Sequence, residues 1–421
     1  MPRREKKMAE VRPFRAIRPR KGLEERIAAL PYDVYSEEEA RRETEREPLS
    51  FLTIDRAETQ FPAGTDPESA RVYEKAGSLL WERMEDGIFV QEKEPSYYIY
   101  ELEMDGRVQT GVVGCVSVND CLNHVVKKHE NTRREKEEDR VRHVDACDAQ
   151  TGPIFLAYRS RTEIDAIVER CKRKDRLYDF RSLDGIAHRA WRIDGEEEIG
   201  KLQEAFAKVE SLYIADGHHR CASAIRVALQ RRKEKPEGGE FDSILSVLFP
   251  DDQLMIMEYN RVVKDLNGLS EEEFLSRIGE SFLVEKVDGP YRPERKGTFG
   301  LYLTDAWYRL ERKLPVESDP VAGLDVSVLQ ERILGPILGI RDPRTDGRID
   351  FVGGIRGLSE LERRCRQDCR AAFCLYPTSI EELFAVADVG RLMPPKSTWF
   401  EPKLRSGLFI HSLKEGKEEQ Q

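Results

Sequence analysis

The chain of 421 residues is long enough to bury a substantial core and to form two or three domains. A formal net charge of −10 argues against a general nucleic-acid binder, which usually has a basic surface. No apolar run approaches the ~20 residues of a membrane span, and no apolar segment follows the charged N-terminus, so we expect neither a membrane helix nor a secretory signal. Eight cysteines at this length do not indicate a disulfide framework, so we expect reduced thiols and a cytoplasmic protein.

The first part of the chain mixes helical and extended patterns. Ser36 and Glu39 form a capping-box pattern, which predicts a helix that begins near Ser36. The apolar run SFLTIDR predicts a strand, and residues 69–87 predict a helix. The stretch SYYIYELEMDGRVQTGVVGCVSV predicts a β-hairpin, because Asp105-Gly106 is a strong turn signal.

Beyond this hairpin, strands and helices alternate irregularly. Strands are predicted for GPIFLAYR, HRAWRI, ILSVLFP, FGLYLT and FCLYPTS. Helices are predicted for KKHENTRREKEEDRVRHVDACDAQ, TEIDAIVERCKR, EEIGKLQEAFAKV, SEEEFLSRIGESF and DVSVLQERILGPIL, where Pro336 should end or kink the last one. This order favours an α+β fold with mixed sheets over a regular doubly wound sheet.

The stretch LYIADGHHRCASAIRVALQRR, residues 212–232, combines an apolar strand, a tight turn and a helix. This order is a common phosphate site, because the first N–H groups of a helix lack internal partners and carry the positive end of its dipole. Gly217 permits a positive φ, and Arg220 offers a planar guanidinium to phosphate oxygens. Because His218 and His219 point about 100° apart on a helix, we expect one to face the ligand and the other to brace the turn.

Asp216 directly precedes this turn and has two interpretations. It caps the helix, a structural role worth ~1 kcal/mol, or it holds Mg²⁺ in a phosphoryl-transfer site. The two histidines also have a structural interpretation, as partly buried side chains bonded to the backbone. Because five polar or special residues coincide at one strand-to-helix turn, we favour a functional site.

The segment KKHENTRREKEEDR carries a second set of basic residues. On one helix they would form a stripe on a single face, and an anionic partner would offset their repulsion. Pairing within the helix, for example of Arg133 with Glu137, would instead leave an ordinary solvated surface, and both interpretations remain open. The stripe consists of His129, Arg133, Lys136 and Arg140.

A third candidate is the loop PPKSTWFEPKLRSG, residues 394–407, whose hydroxyl and cationic side chains suit a phosphate or a carboxylate. An ordinary surface loop explains the same residues equally well. The relevant side chains are Lys396, Ser397, Thr398, Lys403 and Arg405. The patterns GxxxxGK[ST], GxGxxG, GxSxG and HExxH are absent, which argues against a P-loop nucleotidase, a Rossmann dehydrogenase, an α/β-hydrolase and a zinc protease.

Seven stretches in a fixed order resemble the DUF1015 family: PFRAIRP, ALPYDVYS, PLSFLTIDR, KKHENTRREKEEDR, GPIFLAY, YIADGHHRCASA and PPKSTWFEPKLRSGL. They span nearly the whole chain. The DGHHR turn is also similar to the phosphate-binding turn of the ParB/sulfiredoxin superfamily, which includes free-serine kinases. The chain departs from the family at Cys221 and Asn260, where tyrosine and histidine are usual.

The resemblance implies a ParB/sulfiredoxin-like core with additions at both ends. We predict a disordered tail at 1–9, an N-terminal α/β region at 10–120, the phosphate-binding core at 121–235, a C-terminal α/β region at 236–411 and a disordered tail at 412–421. The resemblance also implies that the donor phosphates contact Gly217, His218, His219, Arg220, His129, Arg133, Lys136 and Arg140. We assign catalysis to Glu130, Asp216 and His219, Mg²⁺ to Asp216, and the acceptor to Ser50, Lys396, Ser397, Thr398 and Lys403.

The function implied is that of a small-molecule kinase. Some proteins of this type phosphorylate free L-serine with pyrophosphate as the donor, so we expect a Mg²⁺-dependent transfer from pyrophosphate or a nucleotide to L-serine. The alternatives are a non-catalytic ParB-like nucleotide-binding regulator and a phosphohydrolase that cleaves pyrophosphate or a nucleotide. We expect small-molecule partners without nucleic acid or membrane, and a homodimer is left open.

Overall fold

The computed structural model describes residues 8–313, 315 and 317–414, which form two compact units. The first unit contains the described residues of 8–127, 132–254 and 402–414. The second unit contains residues 128–131 and the described residues of 255–401. Each unit has its own central sheet, so each is described by itself below.

The strands are short to medium in length and are numbered in chain order. They are β1 Val11–Arg12, β2 Ile17–Pro19, β3 Phe89–Gln91, β4 Tyr97–Met104, β5 Arg107–Ser117, β6 Val126–Lys127, β7 Ala149–Gln150, β8 Ile154–Tyr158, β9 Tyr178–Arg181, β10 Ala187–Ile193, β11 Leu212–Asp216, β12 Ser243–Pro250, β13 Met255–Met257, β14 Tyr259–Val263, β15 Phe282–Val287, β16 Thr298–Leu303, β17 Ala306–Arg312, β18 Ile349–Gly353, β19 Ala371–Leu375, β20 Trp399–Glu401 and β21 His411–Ser412.

The helices are numbered in the same way. They are α1 Glu24–Ile27, α2 Glu37–Arg46, α3 Leu52–Asp55, α4 Ala70–Glu85, α5 Val118–Leu122, α6 Arg134–Cys147, α7 Thr162–Cys171, α8 Glu196–Phe206, α9 His218–Arg231, α10 Glu271–Ser281, α11 Asp325–Leu329, α12 Gly357–Gln367 and α13 Ile380–Asp388.

The main sheet of the first unit is mixed and runs in the order β6-β11-β8-β12-β5-β4-β10-β9, with β1 pairing along β5. Strand β11 runs parallel to β6 and antiparallel to β8, and β8 runs parallel to β12. The pairing of β11 with β8 shifts register between Ile214 and Asp216. Such an irregularity changes the direction of a strand, and here it lies where the chain leaves β11 for the Gly217 turn.

Within the first unit, helix α6 packs against both α4 and α9. The approach of α4 to α6 requires a glycine, because a Cβ at Gly77 would lie 2.3 Å from the carbonyl oxygen of Ala146. The apolar side of α9 enters the core through Ala224 and Val227, which belong to the same buried cluster as Leu156 of β8. The middle of α9 is therefore held by a packed core.

The second unit is built around an antiparallel sheet in the order β15-β17-β16-β19-β14-β18. Helix α12 packs against β19, and β13 pairs with β20 in a separate two-stranded sheet. Both central sheets are flanked by helices, and the predicted α+β class with mixed sheets is confirmed.

Most predicted elements form where the local pattern is strong. Ser36 and Glu39 make both hydrogen bonds of a capping box at the start of α2. The predicted helix at 69–87 is α4, and the predicted hairpin is β4 and β5, with both Asp105 and Gly106 at positive φ. All eight cysteines are free, as expected.

Two predictions about local structure are wrong. The run SFLTIDR forms a turn and helix α3 instead of a strand, and the Thr53 hydroxyl donates to the Ser50 carbonyl at 2.6 Å. Short apolar runs cannot be assigned by periodicity alone, and here the local hydrogen bonds favour a helical turn. His129 is not on the same helix as Lys136 and Arg140, because α6 begins at Arg134 and Arg133 is its extended N-cap.

The predicted segment boundaries at 120 and 235 stay predictions. The predicted tails lie largely outside the described residues, although Ala9 is buried and Leu413 donates its N–H to Asp148. Over the described ranges, none of the helices combines the length and apolar composition that crossing a bilayer requires.

Candidate functional site

The strand-turn-helix predicted at residues 212–232 is present as β11, Gly217 and α9. Gly217 is the N-cap residue and has φ 88°, so it occupies the left-handed region that only glycine adopts at little cost. The first hydrogen bond inside α9 runs from Cys221 N–H to Gly217 O. The N–H groups of the three preceding residues lie at the positive end of the helix, where anions bind.

Asp216 is the last residue of β11 and does not cap α9. Its Oδ1 accepts the Gly217 N–H at 2.8 Å, and its Oδ2 lies 2.7 Å from the Lys403 ammonium. Partial burial opposes ionisation, but Lys403 and the Gly217 N–H outweigh it and lower the pKa of Asp216 to about 2. Asp216 is therefore an ionised carboxylate with a fixed cationic partner.

Arg220 turns away from solvent, with 17% of its side chain exposed. Nη1 donates to Pro153 O at 3.3 Å and Nη2 donates to Ser406 Oγ at 3.1 Å. Among the described residues the guanidinium makes these two hydrogen bonds, so three of its five N–H donors have no hydrogen-bond partner there. A Cβ at Gly152 would lie 2.5 Å from Nη1, so the guanidinium rests on a surface that only glycine provides.

Two arginines contact the ring of Tyr32. The guanidinium carbon of Arg140 lies 4.0 Å from the ring centroid, and that of Arg220 lies 5.7 Å away, within the range of cation–π attraction. Burial opposes the charge of Arg140, but Asp139 and Asp55 hold the pKa of its guanidinium above the usual value. Asp139 also bonds to Arg140 Nε at 3.0 Å, so Arg140 is committed to an internal pair.

A small cavity lies beside these groups. Its volume is about 20 Å³, above the ~10–15 Å³ that one water molecule needs. Asp55, on α3, lines it and is 2% exposed at the side chain. Thr151 donates to Asp55 Oδ1 at 2.9 Å, whereas Oδ2 has no hydrogen-bond partner among the described residues and lies 3.9 Å from Arg220 Nη2. The other lining side chains are Arg140, His143, Val144, Gln150, Thr151, Ile154, Arg220, Ser223, Ala224, Ile244 and Leu245.

The predicted basic stripe is divided by the structure. Arg133 and Lys136 are exposed at the start of α6, whereas Arg140 is buried. The acidic side chains of α6 also form ion pairs outside the helix, since Glu137 and Glu138 both pair with Arg226 of α9. Arg140 is buried and pairs with Asp139, whereas a phosphate contact of Arg133 and Lys136 stays a prediction.

In the second unit, two sets of residues that were predicted separately meet. His129 Nε2 lies 3.2 Å from Thr398 Oγ1, and the His129 carbonyl accepts the Met393 N–H. Lys396 has φ 58° and its ammonium lies 5.5 Å from the ring centroid of Tyr259.

The other predicted residues of this unit are Glu130 and Ser397. Glu130 follows His129 directly and is partly buried. Ser397 is buried, and its hydroxyl donates to Pro394 O at 2.6 Å, which holds the loop in a turn. The loop is therefore ordered by its own contacts, unlike an extended surface loop.

Ser50, predicted to contact the acceptor, is buried in the first unit. Its Oγ accepts the Leu52 N–H at 3.4 Å at the start of α3. This contact supports α3, which carries Asp55.

Four residues around Arg220 were not among the predicted site residues: Tyr32, Asp55, Gly152 and Ser406. Each lies within or next to a stretch that supports the family resemblance: ALPYDVYS, PLSFLTIDR, GPIFLAY and PPKSTWFEPKLRSGL. Their presence in those stretches was the available signal. Local patterns could not reveal it, because the four residues come from distant parts of the chain.

The chain is similar to a free serine kinase in complex with AMP, at 17% identity and a TM-score of 0.36, covering 72% of this chain and 91% of that one. It is similar to SbnI with a C-terminal truncation from Staphylococcus aureus, at 14% identity and a TM-score of 0.38, covering 71% and 87%. A conserved hypothetical protein from Pyrococcus furiosus follows at 14% identity and a TM-score of 0.34, covering 72% and 95%.

A comparison with curated proteins gives no match. Residues 11–327 match the family described as "Protein of unknown function (DUF1015)". This match covers well over half of the chain and includes the Gly217 turn, α9, Tyr32, Asp55 and Gly152. The chain therefore belongs to the DUF1015 family.

Proposed function

We propose that the protein is a phosphotransferase that moves a phosphoryl group from pyrophosphate or a nucleotide to the hydroxyl group of free L-serine. The observation that carries the proposal is the combination, in the first unit, of the Gly217 turn, the start of α9 and the available N–H donors of Arg220. Backbone N–H groups and a guanidinium together suit the negative charge on a transferred phosphoryl group.

The transfer breaks the bond between the phosphorus and the leaving phosphate oxygen and forms a bond to the serine hydroxyl oxygen, whose proton must pass to a base. Asp216 is the weakest of the predicted bases, because a carboxyl group with a pKa of about 2 has little tendency to take a proton at neutral pH. We therefore propose His219, which lies in the same unit as Arg220, as the proton acceptor. Lys403 and Arg220 would neutralise the donor phosphates.

The resemblance also implies Mg²⁺. Asp216 does not fit a resident metal ligand, because its oxygens already accept from the Gly217 N–H and from the Lys403 ammonium. Mg²⁺ is commonly held largely by substrate phosphates. We propose that it accompanies the donor as a magnesium–pyrophosphate or magnesium–nucleotide complex.

The test is to incubate the purified protein with Mg²⁺, L-serine and pyrophosphate, ADP or ATP in turn, and to follow all phosphorus species by ³¹P NMR. Formation of O-phosphoserine is expected with at least one donor. Release of phosphate at the same rate without serine would indicate a phosphohydrolase instead. Donor binding that changes the oligomeric state without turnover would indicate a regulator. Either result would overturn the kinase proposal.

A further inference from the structure

The residues that surround the Arg220 guanidinium were not assigned a role from the sequence. Its two hydrogen bonds go to Pro153 O and to Ser406 Oγ, neither of which is charged. The carboxylate beside it is Asp55, with Oδ2 3.9 Å from Arg220 Nη2. Asp55 is buried, and a buried carboxylate oxygen without a hydrogen-bond partner among the described residues is strongly attracted to a cation.

We propose that Asp55 and Tyr32 are positioning residues that hold the Arg220 guanidinium against Gly152 with its remaining donors toward the phosphate site. This inference rests on the proposed anion site at Arg220. Asp55 supplies charge on one side of the guanidinium, and the Tyr32 ring supplies an aromatic surface 5.7 Å from its carbon. Thr151 fixes the Asp55 carboxylate by donating to Oδ1, which leaves Oδ2 for Arg220.

Arg140 holds the ring of Tyr32 in the position from which it contacts Arg220. Its guanidinium carbon lies 4.0 Å from the ring centroid, and it pairs with Asp139, which also accepts the Tyr73 hydroxyl at 2.9 Å. Arg140 is therefore tied to α4 and α6, and it holds the ring on one side while Arg220 contacts it from further away. In this arrangement Arg140, the buried member of the predicted stripe, supports Arg220 indirectly by holding the Tyr32 ring.

The direction in which Asp55→Asn changes the dissociation constant of pyrophosphate distinguishes a positioning role of Asp55 from a purely electrostatic one. A negative charge close to a phosphate site repels the ligand, so removing the charge of Asp55 without any other change would tighten anion binding. If Asp55 holds Arg220 in place, Asp55→Asn weakens binding although the site becomes more positive. We expect the dissociation constant of pyrophosphate to rise about tenfold or more in Asp55→Asn.

A double-mutant cycle tests whether Asp55 acts through Arg220. Pyrophosphate binding is measured by calorimetry for the native chain, Asp55→Asn, Arg220→Ala and the double variant. The double variant should bind as weakly as Arg220→Ala alone. Independent, multiplying losses, or tighter binding by Asp55→Asn, would overturn the proposal.

Glu58→Gln is the matched control. Glu58 is also buried and belongs to the same segment, but it pairs with Arg56 at 2.5 Å and not with Arg220. Its neutralisation should leave pyrophosphate binding unchanged. For the ring, Tyr32→Phe should bind like the native chain, whereas Tyr32→Leu should bind more weakly at the same thermal stability.

Crystal structures of Asp55→Asn and Glu58→Gln without ligand give a readout that does not depend on binding. We expect the Arg220 guanidinium to leave Ser406 and Pro153 in the first variant and to stay in the second. An unmoved guanidinium in Asp55→Asn would overturn the proposal. If the native chain bound none of pyrophosphate, ADP and ATP, the proposed function would be lost, and the two crystal structures would still decide the positioning.

Discussion

Two regions of the first unit combine an arginine, a carboxylate, a hydroxyl group and an aromatic ring, yet they differ in how completely these groups are paired. The Arg220 site consists of Tyr32, Asp55, Gly152, Arg220 and Ser406. The His188 cluster consists of Tyr100, Ser182, Asp184, His188 and Arg405. Arg405, part of the same C-terminal loop as Lys403, is 4% exposed and belongs to this second region.

In the His188 cluster the polar atoms satisfy one another. Tyr100 bonds to His188 Nδ1 at 2.8 Å and Ser182 Oγ bonds to Nε2 at 2.9 Å. Ser182 also donates to Asp184, and Arg405 donates to both Ser182 and Asp184. Burial and the neighbouring Arg405 lower the pKa of His188 to about 3, so the Ser182–His188 contact has no effective base at neutral pH.

The Arg220 site is incomplete by the same measure. Asp55 Oδ2 has no hydrogen-bond partner among the described residues, and the Arg220 guanidinium uses two of its five N–H donors there. A completed polar network stabilises a fold, whereas a buried polar atom without a partner costs free energy that a ligand or a water molecule can recover. We therefore expect variants of the His188 cluster to change stability, and variants of the Arg220 site to change the binding proposed above.

The largest expected effect is on binding at the Arg220 site. Arg220→Ala removes charge-assisted hydrogen bonds to phosphate, so the dissociation constant of pyrophosphate should rise about 100-fold, or ~2.7 kcal/mol. Isothermal titration calorimetry measures this change. Arg405→Ala is the matched control and should bind pyrophosphate as the native chain does. Equal losses in the two variants would contradict the division between the regions.

The next effect is on stability at the His188 cluster. Arg405→Ala removes the buried guanidinium that donates to Ser182 and Asp184, so the free energy of unfolding should fall by about 2 kcal/mol. Urea denaturation followed by circular dichroism measures it. Arg405→Lys keeps the charge but loses the planar fork, so it should lose part of this stability. No loss in Arg405→Ala would mean that water replaces the guanidinium without cost.

A smaller effect is expected at the turn that begins the anion site. Gly217→Ala forces a side chain into φ 88°, which should cost about 1–2 kcal/mol and weaken pyrophosphate binding by disturbing the start of α9. Gly200→Ala is the control, because Gly200 lies inside α8, where a Cβ would meet open space. It should stabilise the chain by up to ~1 kcal/mol. Similar behaviour of the two variants would exclude a special role for the turn.

The elements that could be predicted from the sequence are those specified by neighbouring residues. The capping box at Ser36, the Asp105-Gly106 hairpin and the Gly217 turn all depend on neighbouring residues, and each forms as predicted. Such elements need few long-range contacts to specify them. A glycine at position 217 permits a positive φ, and the structure has φ 88° there.

The two errors are local, at SFLTIDR and at Arg133, whereas the omissions arise from long-range contacts. The sequence placed His129 on a helix with Arg140, but the chain between them is extended at Arg133 before α6 begins. It could not show that Arg140 faces Tyr32, or that Asp55 approaches Arg220, because these pairs lie far apart in the sequence. Charge spacing indicated a basic surface, whereas burial of Arg140 is decided by the packing of α4 and α6.

The smallest expected effect concerns the ion pair of Asp216 and Lys403, which is intermediate between the two regions because Asp216 is paired but 42% exposed. Its pKa is lowered to about 2, so the pair contributes stability above the unfolded value near 3.8 and loses it as the pH falls through about 2. Solvent screening limits the contribution to ~1 kcal/mol or less. The difference in the free energy of unfolding between the native chain and Lys403→Met, measured by urea denaturation, should therefore shrink between pH 4 and pH 2.

Lys201→Met, which removes an exposed pair with Glu197, is the control and should differ little from the native chain at any pH. A Lys403→Met difference that stayed constant with pH would assign its cost to packing of the lysine stem, because only the charge interaction disappears when Asp216 is protonated.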